Sequence, residues 1–150
     1  HAVGEFGGAD RAGHVAGQLQ ALRGQGQQQV GFVQAQGLGA FAAVVRHLAL
    51  EGWTVLSVAN TETKEHGVDV VAKRGGIAVG IEVKGYPSRF YAAAGREGEQ
   101  KPTQPATQAR VWFDSAVVAA MRLRSSQPEL MSVIALPDFP TYRRLADGIA

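Results

Sequence analysis

A chain of 150 residues has the length of one domain, and about two-thirds of its unfolded surface can be buried, enough for a core without staples. Hydrophobic residues at 45% and charged residues at 19% exclude wholesale disorder, and the lack of cysteine excludes disulfides, thiolate nucleophiles and cysteine-bound zinc. Fifteen basic against thirteen acidic residues leave a net charge of +2, which permits nucleic-acid binding without arguing for it. No apolar run approaches the roughly 20 residues that cross a bilayer, and no charged N-terminal region leads into an apolar stretch. A soluble cytoplasmic protein with no membrane association is the expectation.

Residues 1–37 read as a flexible arm, because Gln18, Gln20, Gln25, Gln27, Gln28, Gln29, Gln34 and Gln36 are interleaved with glycine and offer little to bury. A weak helix is expected around Val15–Arg23. From Leu38 the pattern becomes globular, so 38–150 is taken as the folded domain. Leu38, Phe41, Ala42, Val45, Leu48 and Ala49 recur at helical spacing up to Gly52, with His47 on the outer face. Trp53–Ala59 and Gly67–Lys73 read as strands, Arg74-Gly75-Gly76 as a hairpin turn, and Ile77–Lys84 as a third strand. Gly85–Ala106 is a long loop with three prolines. Thr107–Leu123 follows as a helix with Trp112, Phe113, Ala116, Val117, Ala120 and Met121 on its apolar side. Leu130–Leu136 is a buried strand, and Thr141–Ile149 begins a last helix. The class is α/β, a central mixed sheet flanked by helices.

The third strand carries the chemistry. Alternation puts Ile77, Val79, Ile81 and Val83 on one face and Ala78, Gly80, Glu82 and Lys84 on the other. Two charges on one face call for solvent or a charged ligand, and Ala78 and Gly80 leave room for a bulky group to approach. The hairpin turn brings Asp69 close to Glu82. Two carboxylates so placed repel, and a divalent cation between them relieves the repulsion. Mg²⁺ binds through one or two carboxylates and takes further ligands from water and phosphate. Lys84 would then stand beside the attacking water and the charge that develops on a phosphate.

Val68-Asp69, twelve intervening residues, then Glu82-Val83-Lys84 resembles the PD-(D/E)XK signature of restriction-endonuclease-like nucleases. The order of elements from Leu38 to Leu136 resembles their αβββαβ core. Leu48–Lys84 is most similar to archaeal Holliday-junction resolvases and type IV restriction enzymes. The resemblance implies a metal-dependent endonuclease hydrolysing phosphodiester bonds in DNA, with Mg²⁺ or Mn²⁺ held by Asp69, Glu82 and the Val83 carbonyl. It implies that Lys84 acts at the water, and that Gln108 of Thr-Gln-Ala-Arg bonds a phosphate or a water. A homodimer is compatible with it. Phe41, Ala42 and Ala43 stand where related resolvases carry a glutamate, which leaves a second metal site without that ligand.

The long loop starts at Lys84 and interleaves Tyr86, Phe90 and Tyr91 with Arg89, Arg96 and Lys101, a mixture suited to phosphates and unstacked bases. Glu51 reads as a helix-end charge, His66 as a loop residue, Trp112 and Phe113 as core, and Arg143 and Arg144 as surface charges. Two alternatives stay open: a nucleic-acid-binding module of the same fold with little or no cleavage, and a nuclease acting on RNA or branched junctions.

Overall fold

The computed structural model describes residues 39–59, 67–92 and 94–149, together with the backbone of three strands between residues 3 and 33. In chain order the elements are β1 (Val3–Phe6), β2 (Leu19–Arg23), β3 (Gln28–Val33), α1 (Ala40–Leu50), β4 (Thr54–Val58), β5 (Val70–Arg74), β6 (Ile77–Val83), α2 (Pro105–Ser126), β7 (Met131–Pro137) and α3 (Pro140–Asp147). The strands form one mixed sheet in the order β1-β2-β3-β7-β6-β5-β4. β4, β5 and β6 are antiparallel, while β7 runs parallel to β6 on one side and to β3 on the other. A parallel neighbour cannot follow by a tight turn; α2 supplies the crossover from β6 to β7.

From α1 onward the elements follow the expected order. The sharpest local signal is the β5–β6 hairpin. Arg74 pairs with Ile77, and the two residues between them, Gly75 and Gly76, hold φ of 53° and 83°, a left-handed conformation that glycine adopts without a Cβ penalty.

Each sheet face has its own core. On one, α1 places Ala43, Val44 and Leu48 against Val70, Ala72, Val79, Ile81, Val133 and Ala135. On the other, α2 and α3 bury Ala109, Phe113, Ala116, Ala120, Tyr142 and Ala146 with Ile134 and Leu136. Trp112 packs at the rim of this second cluster, so the core reading of Trp112 and Phe113 stands.

Three expectations need correction. Over Leu19–Arg23, where a weak helix was expected, the backbone is a strand, and the span read as an arm contributes β1, β2 and β3, with β3 pairing to β7. The inner face of α1 is Ala43, Val44, His47 and Leu48, so His47 is buried, 6% exposed, rather than outward. Met121 is exposed and Leu123 takes its place against the sheet. His66 lies outside the described residues.

Candidate active site

Val70 pairs with Ile81, so Asp69, one residue before β5, stands opposite Glu82 of β6. The expected convergence of the two carboxylates is present. Asp69 Oδ2 accepts a hydrogen bond from the Val83 backbone N–H at 2.7 Å, which fixes the aspartate across the two strands. Glu82 Oε1 accepts from Lys84 Nζ, also at 2.7 Å, with side-chain exposures of 18% and 20%. Burial pushes the Glu82 carboxyl above its ordinary value; the Lys84 hydrogen bond opposes this, and the nearby Asp69 charge adds to it.

Asp69 Oδ1 and Glu82 Oε2 accept nothing from the described residues. Two half-satisfied carboxylates facing a cleft are a donor set that suits a hard divalent cation. Among the described residues no group of three or more His, Cys, Asp and Glu side chains gathers as a metal site, so the candidate rests on this pair. Glu51 lies away from it at the end of α1, its carbonyl bound by Arg74 at 2.6 Å. α1 covers the opposite sheet face and has no acidic residue in its first turn.

Gly80 of β6 has a different explanation from the one expected. A Cβ on Gly80 would lie 2.6 Å from Leu123 Cδ2, 3.2 Å from Val68 Cγ1 and 3.4 Å from Leu130 Cδ1. The group that approaches this strand is α2, not a ligand. Glycine here permits close helix–sheet packing. What stays open is a cleft of about 470 Å³ between residues 67–69 and the second half of α2, with Asp69 and Glu82 on one side and Ala119, Arg122, Ser126 and Gln127 on the other.

The segment after β6 is more ordered than a loop. Phe90 bridges Gln100, the Tyr91 N–H donates to Glu99 O at 2.9 Å, and the Lys101 N–H donates to Arg89 O at 2.8 Å. Its cations are largely engaged. Arg96 pairs with Glu99 at 2.8 Å and stacks 3.8 Å over Tyr91. Lys101 donates to Ser88 Oγ at 3.2 Å and Gln108 Oε1 at 3.4 Å. Arg89 is exposed. Gln108 was expected to serve a phosphate or a water. It is 6% exposed, and its Nε2 donates to the Ser88 carbonyl at 3.0 Å and the Thr103 carbonyl at 2.6 Å. That amide braces the hairpin, and its hydrogens are committed there.

Sequence reading missed Arg122 and Gln127 as part of the cleft. The available signal was the spacing of Ala119, Arg122 and Ser126, one stripe on the same helix side as the small residues Ala116 and Ala120. Arg143 and Arg144 are exposed as expected, Arg143 bridging to Asp138. No family model, curated protein or solved structure matches the chain. Among the described residues no helix is long and apolar enough to cross a membrane.

Proposed function

We propose that the chain is a restriction-endonuclease-like nuclease that hydrolyses phosphodiester bonds in DNA with Mg²⁺ or Mn²⁺. The observation that carries the reading is the meeting of Asp69 and Glu82 at an open cleft, with Lys84 bonded to Glu82 and one oxygen of each carboxylate unpaired among the described residues. Asp69, Glu82 and the Val83 carbonyl would hold the cation, which supplies Lewis-acid stabilisation of charge on the phosphoryl oxygens.

The side chains have separate tasks. The Val83 N–H fixes one Asp69 oxygen and leaves the other for the cation. Glu82 holds Lys84 through Oε1, which keeps the ammonium beside the carboxylates instead of in bulk water. From there Lys84 orients the attacking water and offsets negative charge building in the transition state. Gln108 acts at a distance, through the hairpin it braces.

A second reading, a nucleic-acid-binding module without efficient cleavage, draws on the absence of an acidic residue in the first turn of α1. A cleavage assay with Mg²⁺ and Mn²⁺ on duplex, single-stranded and four-way-junction DNA separates the two. Wild type should cut, and Asp69→Ala should not. Lys84→Ala should lower kcat by about 100-fold or more while DNA affinity changes by no more than about threefold, because the ammonium acts mainly in the transition state. Binding without cleavage under either metal favours the module; a Lys84→Ala variant that cuts at the wild-type rate removes the nuclease reading.

A further inference from the structure

The cleft that ends on Asp69 and Glu82 has a wall of opposite charge. Among the described residues lining it, Arg122 is the only basic one, and it is exposed. No ion pair or hydrogen bond joins its guanidinium to another described residue. A phosphate entering this cleft meets two carboxylates and the negative end of the α2 dipole, all unfavourable to an anion. A divalent cation shared by the carboxylates offsets part of this, and a basic side chain on the facing wall adds to the offset. Arg122 offers paired N–H donors in the geometry that phosphate oxygens accept. Gln127, also on the cleft, adds a carboxamide. Ser126 does not contribute a donor, since its hydroxyl turns back to the Arg122 carbonyl at 2.9 Å. Two of the three hairpin cations first considered for this task, Arg96 and Lys101, are bonded within the hairpin and to Gln108.

We propose that Arg122, assisted by Gln127, grips a backbone phosphate of the substrate in this cleft while Asp69, Glu82 and Lys84 act on a neighbouring linkage. The assignment rests on the nuclease reading and gives it a binding wall. Arg124 provides the control: it carries the same charge in the last turn of the same helix but does not line the cleft.

The test compares wild type, Arg122→Gln, Arg122→Lys and Arg124→Gln by fluorescence anisotropy on a labelled DNA duplex in Ca²⁺ over a salt series, and by cleavage in Mn²⁺. Arg122→Gln should weaken binding about tenfold, flatten the log–log salt slope by about one, and raise KM with little change in kcat. Arg122→Lys, the milder change, should keep the salt slope while losing part of the affinity, since a point charge replaces a fork. Arg124→Gln should stay within about twofold of wild type on the same measures. Equal losses from Arg122→Gln and Arg124→Gln would show that only the summed charge at the end of α2 matters, and would overturn the assignment. Wild-type binding and KM in both Arg122 variants would overturn it too, with the nuclease reading intact. Wild type that neither binds nor cuts DNA removes both.

Discussion

At the scale of single residues, Glu82 is held at a cost to the fold. Its carboxyl sits above its ordinary value of 4.5 chiefly because burial disfavours the charged form. The folded state therefore keeps the proton to higher pH than the unfolded chain does. The penalty is absent well below the ordinary value, grows as pH rises through the folded one, and is fully present at neutrality. In metal-free buffer Glu82→Gln, which keeps an acceptor for Lys84, should melt above wild type at pH 7, and the difference should close as the pH falls to about 4. Thermal melts across that range check it. A variant that melts lower at pH 7 would mean that the Lys84 ion pair is a net structural gain and that Glu82 needs no ligand.

At the scale of elements, Gly80 joins β6 to α2. Adding one methyl group there drives Leu123 into space bounded by Val68 and Leu130. Gly80→Ala should cost about 1–3 kcal/mol by chemical denaturation. In a Leu123→Ala background, itself about 2–4 kcal/mol less stable, the same substitution should be nearly neutral, giving a coupling of at least about 1 kcal/mol. Independent effects would mean that α2 does not press on this strand. The elements themselves were legible: the Gly75-Gly76 turn, the β-branched runs and the helical spacings placed every element from α1 to α3 in order. The rotation of α1 was not. Phe41, Ala42, Ala43, Val44, Val45, Leu48, Ala49 and Leu50 make that helix apolar nearly all round, so periodicity alone could not choose the face, and contact with the sheet turned Ala43, Val44 and His47 inward. Gly80 was legible as a place of close approach, but a strand glycine does not say whether a ligand or a helix arrives. Asp69, Glu82 and Lys84 were legible because hairpin register and alternation fix which residues share a face. Gln108 was not, because its partners Ser88 and Thr103 depend on how the hairpin folds back.

At the scale of the molecule, the site couples to global stability. Asp69 and Glu82 belong to different chain segments and meet only when β5 and β6 are paired, so a cation they share binds the folded chain and not the unfolded one. Mn²⁺ at about 100 times its dissociation constant should add about 2.7 kcal/mol, a rise of roughly 5–10 °C for a chain of this size. Asp69→Ala should abolish the rise. Scanning calorimetry with and without Mn²⁺ reads it directly, and an unchanged midpoint for wild type at millimolar Mn²⁺ would remove the shared-cation site. Two side-chain hydrogen bonds tie the elements around the site together: Ser132 of β7 donates to the Ala120 carbonyl at 3.0 Å, and Tyr142 of α3 to the Gly85 carbonyl at 3.3 Å, just beyond Lys84.

The edge strand β4 has a bearing on how copies of the chain treat one another. Among the described residues β4 pairs only with β5, and Leu56 is the extra residue where the register shifts between Val55 and Ser57. Leu56 and Val58 are 59% and 46% exposed, so this border is apolar as well as open. A straight border of that kind would template the next copy's backbone and grow by accretion. The irregularity at Leu56 breaks the even ladder of N–H and C=O groups and bends the strand, so an incoming strand finds no continuous row to zip along. One surplus residue thus works against a seam along a sticky margin.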